Sequence, residues 1–315
     1  MFTVTDVAKM LKEKDKVVIL CHRSPDGDTI GSAYALYDAL KSIGKTVRIE
    51  CADTFGTRFA HITDGIIFED FIPEYIVAVD VPNVKLLGKK EEEYPEVDLC
   101  IDHHGTHVPF AKYTYVESTA ASACEIMYEI CSALCGEINE KQAIALYTGV
   151  ATDTGCFKFS NTTIRTHLVA VKLMEKGIDC EKINQAVFSK TKNCAMLGAN
   201  VVSKAKFYHN DKIAIQFVDE EIKEQNGASE EEVGILASLL QEIDCVMLGI
   251  TIRQIDDNTF RVSVRTKSPV SAAEYCKKFG GGGHNGAAGA TLEGNLTDVY
   301  DRLLTEALCF IESNE

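Results

Sequence analysis

Asp102, His103 and His104 place a carboxylate and two adjacent imidazoles directly after the apolar run of residues 97–101. That run is typical of a short buried strand, so the three polar side chains emerge where the strand ends. Ligands of open α/β sheets bind at the carboxyl ends of the strands. The triplet alone is weak evidence, since adjacent histidines occur by chance. Acidic groups at other strand and helix ends strengthen the prediction of a binding site.

A second polar group follows the apolar run of residues 17–21. His22, Asp26 and Asp28 lie in the turn after this predicted strand, and a helix is predicted to begin near residue 31. Asp26 and Asp28 flank a glycine, and a tight turn can direct both carboxylates toward the same ligand. The alternative is that the tripeptide is an ordinary turn and Asp28 only caps the helix.

Two further carboxylates occupy the ends of other predicted elements. Asp80 follows the apolar strand of residues 75–79, where a buried carboxylate is costly unless a positive group meets it. Asp153 follows a helix predicted over residues 140–151, where a negative charge opposes the helix dipole. A helix cap therefore explains Asp153 less well than it explains Asp28.

Carboxylates that converge in one crevice repel one another, and divalent cations resolve that conflict. Sites rich in Asp with one or two His suit Mn²⁺ or Mg²⁺. Four or so carboxylates are too many for one ion but fit two ions that share a bridging Asp, a site that activates water for phosphoryl displacement. The groups concerned are His22, Asp26, Asp28, Asp80, Asp102, His103, His104 and Asp153.

The pattern of elements predicts how these groups are positioned. Apolar runs alternate with helical patterns, which indicates an α/β domain with a doubly wound, mainly parallel sheet and helices on both faces. Its strands are predicted at residues 17–21, 47–51, 75–79 and 97–101, and its later helices at 119–135, 140–151, 162–176 and 180–188.

A smaller α+β domain with a central sheet is predicted after a helical connector over residues 191–205. We place the boundary there, which divides the chain into residues 1–191 and 192–315. The strand of residues 258–267 alternates with period two and is expected to pair with the strand before it through the turn at 256–258. The other predicted elements are strands at 207–208, 212–217 and 244–252 and helices at 230–241 and 270–279.

Composition narrows the function classes. A net charge of −15 argues against coating long nucleic acid, which needs an extended basic surface. No apolar run is long enough to span a membrane and no signal peptide is visible, so a cytoplasmic protein without a membrane partner is expected. The 12 cysteines are scattered and are expected to be reduced thiols.

Together these motifs resemble the DHH superfamily of phosphoesterases, in the subgroup with a DHH-associated C-terminal domain. The match covers nearly the whole chain, and one departure is Thr266, where the family often has Ser. The matching segments are His22-x-x-Pro-Asp26-Gly-Asp28, Val79-Asp80, Asp102-His103-His104, Thr152-Asp153, Ser263-Val264-Arg265 and the glycine-rich residues 281–289.

The resemblance implies two divalent cations that Asp80 bridges. Mn²⁺ is the preferred ion, and Mg²⁺ is the alternative. The implied ligand sets are His22, Asp26 and Asp80 for one ion and Asp28, Asp80, His103 and Asp153 for the other.

Around that metal pair, the resemblance implies that His104 contacts the scissile phosphate. It also implies that Asp102 orients His103 or His104. No role is assigned to His61, His107, His167 and His209.

In the C-terminal domain, the same resemblance implies substrate binding. Successive glycines allow backbone N–H groups to converge on an anion, whereas the alternative, a flexible linker, does not explain the His-Asn-Gly-Ala-Ala-Gly that follows. Basic residues outnumber acidic ones between 251 and 280, which suits one or two terminal phosphates. The candidates for substrate phosphate are Arg265, Gly281, Gly282, Gly283 and His284, with Arg265 also stabilising charge in the reaction.

Length and domain order most resemble the stand-alone nanoRNase/pAp phosphatases of this family. That implies hydrolysis of very short oligoribonucleotides to 5′-mononucleotides, and of 3′-phosphoadenosine 5′-phosphate to AMP, by water that two metals activate. The alternatives are a phosphodiesterase for cyclic di-AMP or linear pApA and, from a different class, a catalytically silent nucleotide sensor. The oligomeric state, including a homodimer, stays open.

Overall fold

A computed structural model describes residues 2–219, 221, 222, 224, 227, 233, 234 and 236–314. The chain forms two compact units, residues 1–189 and 190–315. Part of the helix predicted over residues 230–241 lies outside the described residues, and the described part contains short 3₁₀ turns at Leu236–Ser238 and Leu240–Glu242.

The first unit alternates strands and helices, as the apolar pattern predicts. Its strands are β1 (Val17–Leu20), β2 (Val47–Glu50), β3 (Tyr75–Val79), β4 (Leu99–Asp102) and β5 (Tyr113–Val116). Its helices are α1 (Val4–Lys12), α2 (Gly27–Ser42), α3 (Ala60–Thr63), α4 (Lys90–Glu93), α5 (Ala123–Cys135), α6 (Glu140–Asp153), α7 (Ile164–Met174) and α8 (Cys180–Phe188).

These strands form one parallel sheet in the order β2-β1-β3-β4-β5. Successive residues of β1 face opposite sides: Val17 and Ile19 join the core beneath α2, α5 and α6, and Val18 and Leu20 join a second core. That second core is covered by the 3₁₀ turn Val84–Leu87 and residues near α4. The predicted doubly wound α/β class is confirmed, with the longer helices on one face.

Helix α2 begins four residues earlier than predicted. The Asp26 carboxylate accepts hydrogen bonds from the backbone N–H groups of Asp28 (3.0 Å) and Thr29 (3.2 Å), so Asp26 is the N-cap. The alternative that Asp28 caps this helix is therefore wrong. The small polar residues of the first turn carry no apolar periodicity, which is why the pattern missed them.

The second unit is built on a six-stranded mixed sheet within the described residues, in the order β10-β11-β9-β8-β7-β6. The predicted pairing of residues 244–252 with 258–267 is confirmed as the antiparallel pair β8–β9. The strands are β6 (Lys206–Tyr208), β7 (Ile213–Val218), β8 (Leu248–Asp256), β9 (Thr259–Thr266), β10 (Gly282–Gly283) and β11 (Ala287–Glu293), and the helices are α9 (Lys192–Ser203), α10 (Ala272–Lys277) and α11 (Leu296–Glu312).

Sequence patterns did not predict β10, β11 and α11 of this unit, nor the edge strand β5 of the first unit. Strand β11 follows the glycine-rich stretch, and α11 packs Val299, Leu303 and Ala307 into the core of this unit. All 12 cysteines are free thiols. Among the described residues, no helix combines the length and the hydropathy that a membrane crossing requires.

Candidate active site

The polar groups of the first unit meet at the carboxyl edge of its sheet. Strand β1 has β2 on one side and β3 on the other, so the connections that leave β1 and β3 diverge and open a crevice between these strands. His22 lies just beyond β1, Asp80 directly follows β3, and Asp102 ends β4. The crevice at a switch in strand order is where α/β sheets bind ligands.

One cluster in this crevice consists of His22, Asp26 and Asp80. The Nε2 atom of His22 lies 3.6 Å from Asp26 Oδ1 and 3.5 Å from Asp80 Oδ2. The Nδ1 atom lies 2.9 Å from the Arg23 carbonyl oxygen, so a hydrogen on Nδ1 leaves the Nε2 lone pair directed at the carboxylates. These three residues are arranged as a potential metal site.

A second cluster surrounds Nε2 of His103. This atom lies 3.6 Å from Asp28 Oδ2, 3.5 Å from Asp80 Oδ1 and 3.4 Å from Asp153 Oδ2. Nδ1 of His103 faces the Ala120 carbonyl oxygen at 3.2 Å, which orients the ring. The predicted second ligand set is thus brought together from the positions that follow β3 and β4 and from helices α2 and α6.

Backbone N–H groups at the N-terminus of α5 hold the carboxylate of Asp28 in place. Both of its carboxylate oxygens accept backbone hydrogen bonds, from Ala123 N at 2.6 Å and Cys124 N at 2.8 Å. The positive end of a helix favours a carboxylate in this position. Sequence patterns did not reveal these donors, because backbone groups leave no residue signature.

Asp80 belongs to both clusters. Its Oδ2 faces His22, while its Oδ1 lies 3.5 Å from both His103 Nε2 and His104 Nδ1. Oδ1 is buried and accepts no hydrogen bond from any described residue. Asp80 also has a left-handed backbone (φ 58°), a conformation that is uncommon outside glycine and that collects at functional sites.

The electrostatics of the crevice favour a cation. Burial, followed by the negative charge of Asp28, raises the pKa of Asp80 to about 8. Burial and the charges of Asp28, Asp26 and Asp80 raise the pKa of Asp153 well above its ordinary value. Burial also raises the pKa of Asp28. A divalent cation would compensate these charges, and the buried, unsatisfied oxygen of Asp80 is a fitting ligand atom for one.

Asp26 and His22 behave as a charge pair. Burial alone would raise the pKa of Asp26, but the charge and hydrogen bond of His22 outweigh it and lower that pKa. Burial alone would lower the pKa of His22, but the charges of Asp26 and Asp80 raise it well above its ordinary value. A metal ion held by His22, Asp26 and Asp80 would compete with a proton for Nε2 of His22.

Asp102 is hydrogen-bonded to His104. Its Oδ1 lies 2.7 Å from His104 Nδ1, and its Oδ2 lies 2.6 Å from Nδ1 of a further residue, His107. These hydrogen bonds outweigh the effect of burial and lower the pKa of Asp102. No role was assigned to His107 from the sequence. The available signal was its position five residues after Asp102, where it is the third histidine of the same short segment.

Arg265 lies on β9 of the second unit. Its half-buried guanidinium donates a hydrogen bond from Nη1 to the Val264 carbonyl oxygen at 3.0 Å, and burial lowers its pKa. No carboxylate of the described residues forms a salt bridge with it. An arginine remains charged under such conditions and is suited to an anionic ligand.

The glycine-rich stretch forms a tight hairpin instead of an open loop. Gly282 and Gly283 pair with Gly289 and Ala288, and Gly281 N donates to the Cys276 carbonyl oxygen. At Gly283 (φ 145°) a Cβ would lie 2.6 Å from the Ala287 carbonyl oxygen, so close strand approach already requires glycine there. Anion binding by Gly281, Gly282, Gly283 and His284 stays a prediction.

Two family models match the sequence. Residues 16–150 match the model of the DHH family, N-terminal domain, and residues 210–313 match that of the DHHA1 domain. A Thermus thermophilus protein named bifunctional oligoribonuclease and PAP phosphatase NrnA is 30% identical over 313 residues, which cover 95% of this chain and 91% of that protein.

Two solved structures share the fold. An exopolyphosphatase-related protein from Bacteroides fragilis superposes with a TM-score of 0.86 at 24% identity, over 97% of both chains. RecJ from Thermus thermophilus, solved in complex with Mn²⁺, has a TM-score of 0.57 at 13% identity and covers 96% of this chain and 53% of its own.

Proposed function

The chain belongs to the DHH family of phosphoesterases and carries the DHHA1 domain, and from this premise we propose its substrates and the roles of its residues. The proposed substrates are very short oligoribonucleotides, hydrolysed to 5′-mononucleotides, and 3′-phosphoadenosine 5′-phosphate, hydrolysed to AMP. The named activities of the Thermus thermophilus relative support this choice. A net charge of −15 disfavours long nucleic acid as a substrate.

The observation that carries the proposal is the position of Asp80 between two ligand clusters. One carboxylate oxygen faces His22, and the other, buried and without a hydrogen bond from the described residues, faces His103. We assign His22, Asp26 and Asp80 to one divalent cation and Asp28, Asp80, His103 and Asp153 to the other. When bound, such ions lower the pKa of water and neutralise charge on phosphoryl oxygens.

The mixture of carboxylate and imidazole donors supports Mn²⁺ as the preferred ion, with Mg²⁺ as the alternative. Both His22 and His103 direct Nε2 at the carboxylates because Nδ1 of each faces a backbone carbonyl oxygen. The chain's contribution at these positions is to fix the ring orientation before an ion binds.

His104 is the residue that we propose contacts the scissile phosphate. Its Nδ1 lies 2.7 Å from Asp102 Oδ1, and Nε2 is the atom that we assign to the substrate. A hydrogen bond from this ring to a phosphoryl oxygen would stabilise the negative charge that develops there.

In the second unit, Arg265 is proposed to bind a substrate phosphate. A half-buried guanidinium without a described acidic partner supports that role, because a buried positive charge is costly until an anion meets it. Gly281, Gly282, Gly283 and His284 are proposed to contribute to the same subsite. The proposed location of the reaction is the cytoplasm, which 12 free thiols support.

A substrate panel tests the proposal. Purified protein is assayed with Mn²⁺, with Mg²⁺ and with chelator on RNA dinucleotides to pentanucleotides, a long RNA, 3′-phosphoadenosine 5′-phosphate, linear pApA and cyclic di-AMP. We expect metal-dependent release of mononucleotides from the short RNAs and of AMP from the bisphosphate, with little action on the long RNA. Exclusive turnover of cyclic di-AMP or pApA, or nucleotide binding without turnover, would overturn it.

A further inference from the structure

His107 lies at the end of a turn that starts at His104. Its backbone N–H donates to the His104 carbonyl oxygen at 3.1 Å, and its imidazole packs against Phe110 with ring centroids 6.0 Å apart. Only 5% of its side chain is exposed. Val108 N in turn donates to the Pro82 carbonyl oxygen at 2.8 Å, which ties the end of this turn to the segment after Asp80.

The polar contact of this buried ring is with Asp102. His107 Nδ1 lies 2.6 Å from Asp102 Oδ2, while the other oxygen of the same carboxylate binds His104 Nδ1 at 2.7 Å. Asp102 is fully buried. A carboxylate bound through one oxygen can turn about its terminal torsion, which is broad, whereas partners on both oxygens hold its plane.

The second nitrogen of His107 does not explain why an imidazole is present. Nε2 is buried and has no hydrogen-bond partner among the described residues. A buried nitrogen without a partner lowers stability. An apolar ring would pack against Phe110 without that penalty, so the hydrogen bond from Nδ1 is the feature that only a nitrogen donor at this position supplies.

We propose that His107 is a positioning residue for phosphoester hydrolysis: it fixes the plane of Asp102, and Asp102 in turn orients the ring of His104. This inference rests on the proposed role of His104 at the scissile phosphate. It adds an Asp102-centred pair of imidazoles, His104 on one oxygen and His107 on the other, to the residues that act in the reaction. Removing a residue that orients a reacting group through a hydrogen bond typically lowers activity by about 10- to 100-fold.

Two amide substitutions separate the hydrogen bond from the shape of the ring. In His107→Asn the amide nitrogen can take the place of Nδ1 and still donate to Asp102. In His107→Gln the amide lies near the place of Nε2 and cannot reach the same oxygen. His107→Phe keeps the packing on Phe110 without any donor.

We expect kcat to fall by about 10- to 100-fold in His107→Gln and His107→Phe with KM unchanged within about threefold, and to stay within about threefold of wild type in His107→Asn. Equal loss in the Asn and Gln variants, or wild-type kcat in folded His107→Phe, would overturn the inference. Retention of the Mn²⁺-induced rise in Tm confirms that each variant keeps the metal clusters.

A spectroscopic measurement tests the same geometry without turnover. Nitrogen-15 NMR of the histidines reports the tautomer and the Nδ1–H hydrogen bond of His104. We expect the wild-type signals in His107→Asn and shifted signals in His107→Gln; unchanged His104 signals in every variant would contradict the positioning role. If the wild-type enzyme hydrolysed none of the proposed substrates, the proposed function would fail, and this spectrum would still decide the contact.

Discussion

Replacing Asp80 by Asn is expected to stabilise the protein in chelator and to abolish its activity. Asn is nearly isosteric with Asp and tolerates the left-handed backbone of this position (φ 58°). It removes a carboxylate that is buried beside other carboxylates, with one oxygen that accepts no hydrogen bond from the described residues. The substitution therefore removes a group that, without cations, must take up a proton when the chain folds at neutral pH.

The size of this effect follows from the pKa of Asp80. Burial, followed by the charge of Asp28, raises that pKa to about 8, from an ordinary value of 3.8. At pH 7 the unfolded chain is ionised and the folded chain is protonated at this position, a difference that corresponds to a loss of about 4 kcal/mol in the free energy of unfolding. Relaxation around the site reduces this, so we expect Asp80→Asn to gain about 2–4 kcal/mol, or roughly 5–15 °C in Tm.

Asp102→Asn is the matched control with the opposite sign. Burial alone would raise the pKa of Asp102, but hydrogen bonds from His104 and His107 lower it, so the ionised form is the one that the fold stabilises. An amide in this place weakens two charge-assisted hydrogen bonds. We expect a loss of about 1.5–3 kcal/mol.

Thermal unfolding at pH 7, in chelator and with saturating Mn²⁺, measures both variants. Wild type should gain Tm with Mn²⁺ by mass action, whereas Asp80→Asn should start higher, gain little and show no turnover. Equal destabilisation of the Asp80 and Asp102 variants in chelator would refute the electrostatic account of the crevice. Near-normal turnover by Asp80→Asn would refute the bridging assignment.

Three further predictions concern pH, substrate binding and packing around the site. The protein in chelator should lose stability as the pH rises from about 4 to about 8, because the folded-state pKa of Asp80 (about 8) exceeds its unfolded value of 3.8; denaturant titrations at several pH values check this, and a stability that rises over the interval would contradict it. Arg265→Ala should raise KM by about 10- to 100-fold with little change in kcat, since a charged hydrogen bond to phosphate contributes about 1.5–3 kcal/mol. Arg261→Ala on the same strand is the charge-matched control. An equal rise of KM in both variants would argue against a specific phosphate subsite at Arg265. Gly149→Ala should weaken the Mn²⁺-induced rise in Tm, because the added methyl group would overlap Cys124 Sγ and lie 2.9 Å from Asp28 Oδ1, so these neighbours must shift. An unchanged metal response would contradict this prediction.

Much of the first unit was predictable from local patterns. Its buried parallel strands read as short apolar runs, and the helices over residues 140–151 and 180–188 were predicted within two residues of their observed bounds. Elements with weaker local signals were missed. Strand β5 is an exposed edge strand. Strand β11 follows a glycine-rich stretch that lacks a strand pattern, so its pairing with β9 was not predicted. Their positions depend on strands distant along the chain, which no local period records.

For the candidate site, the residue types and their spacing were sufficient to select the acidic and imidazole groups and to indicate divalent-cation chemistry. That was possible because side-chain chemistry and position after a strand are both local properties of the sequence. Tertiary structure alone decided the contacts among them: that Asp26, not Asp28, caps α2, that the N-terminus of α5 holds Asp28, and that Asp102 binds His104 and His107. Those contacts join segments up to 96 positions apart through hydrogen bonds only a few ångströms long, and such distances exist only once the chain has folded.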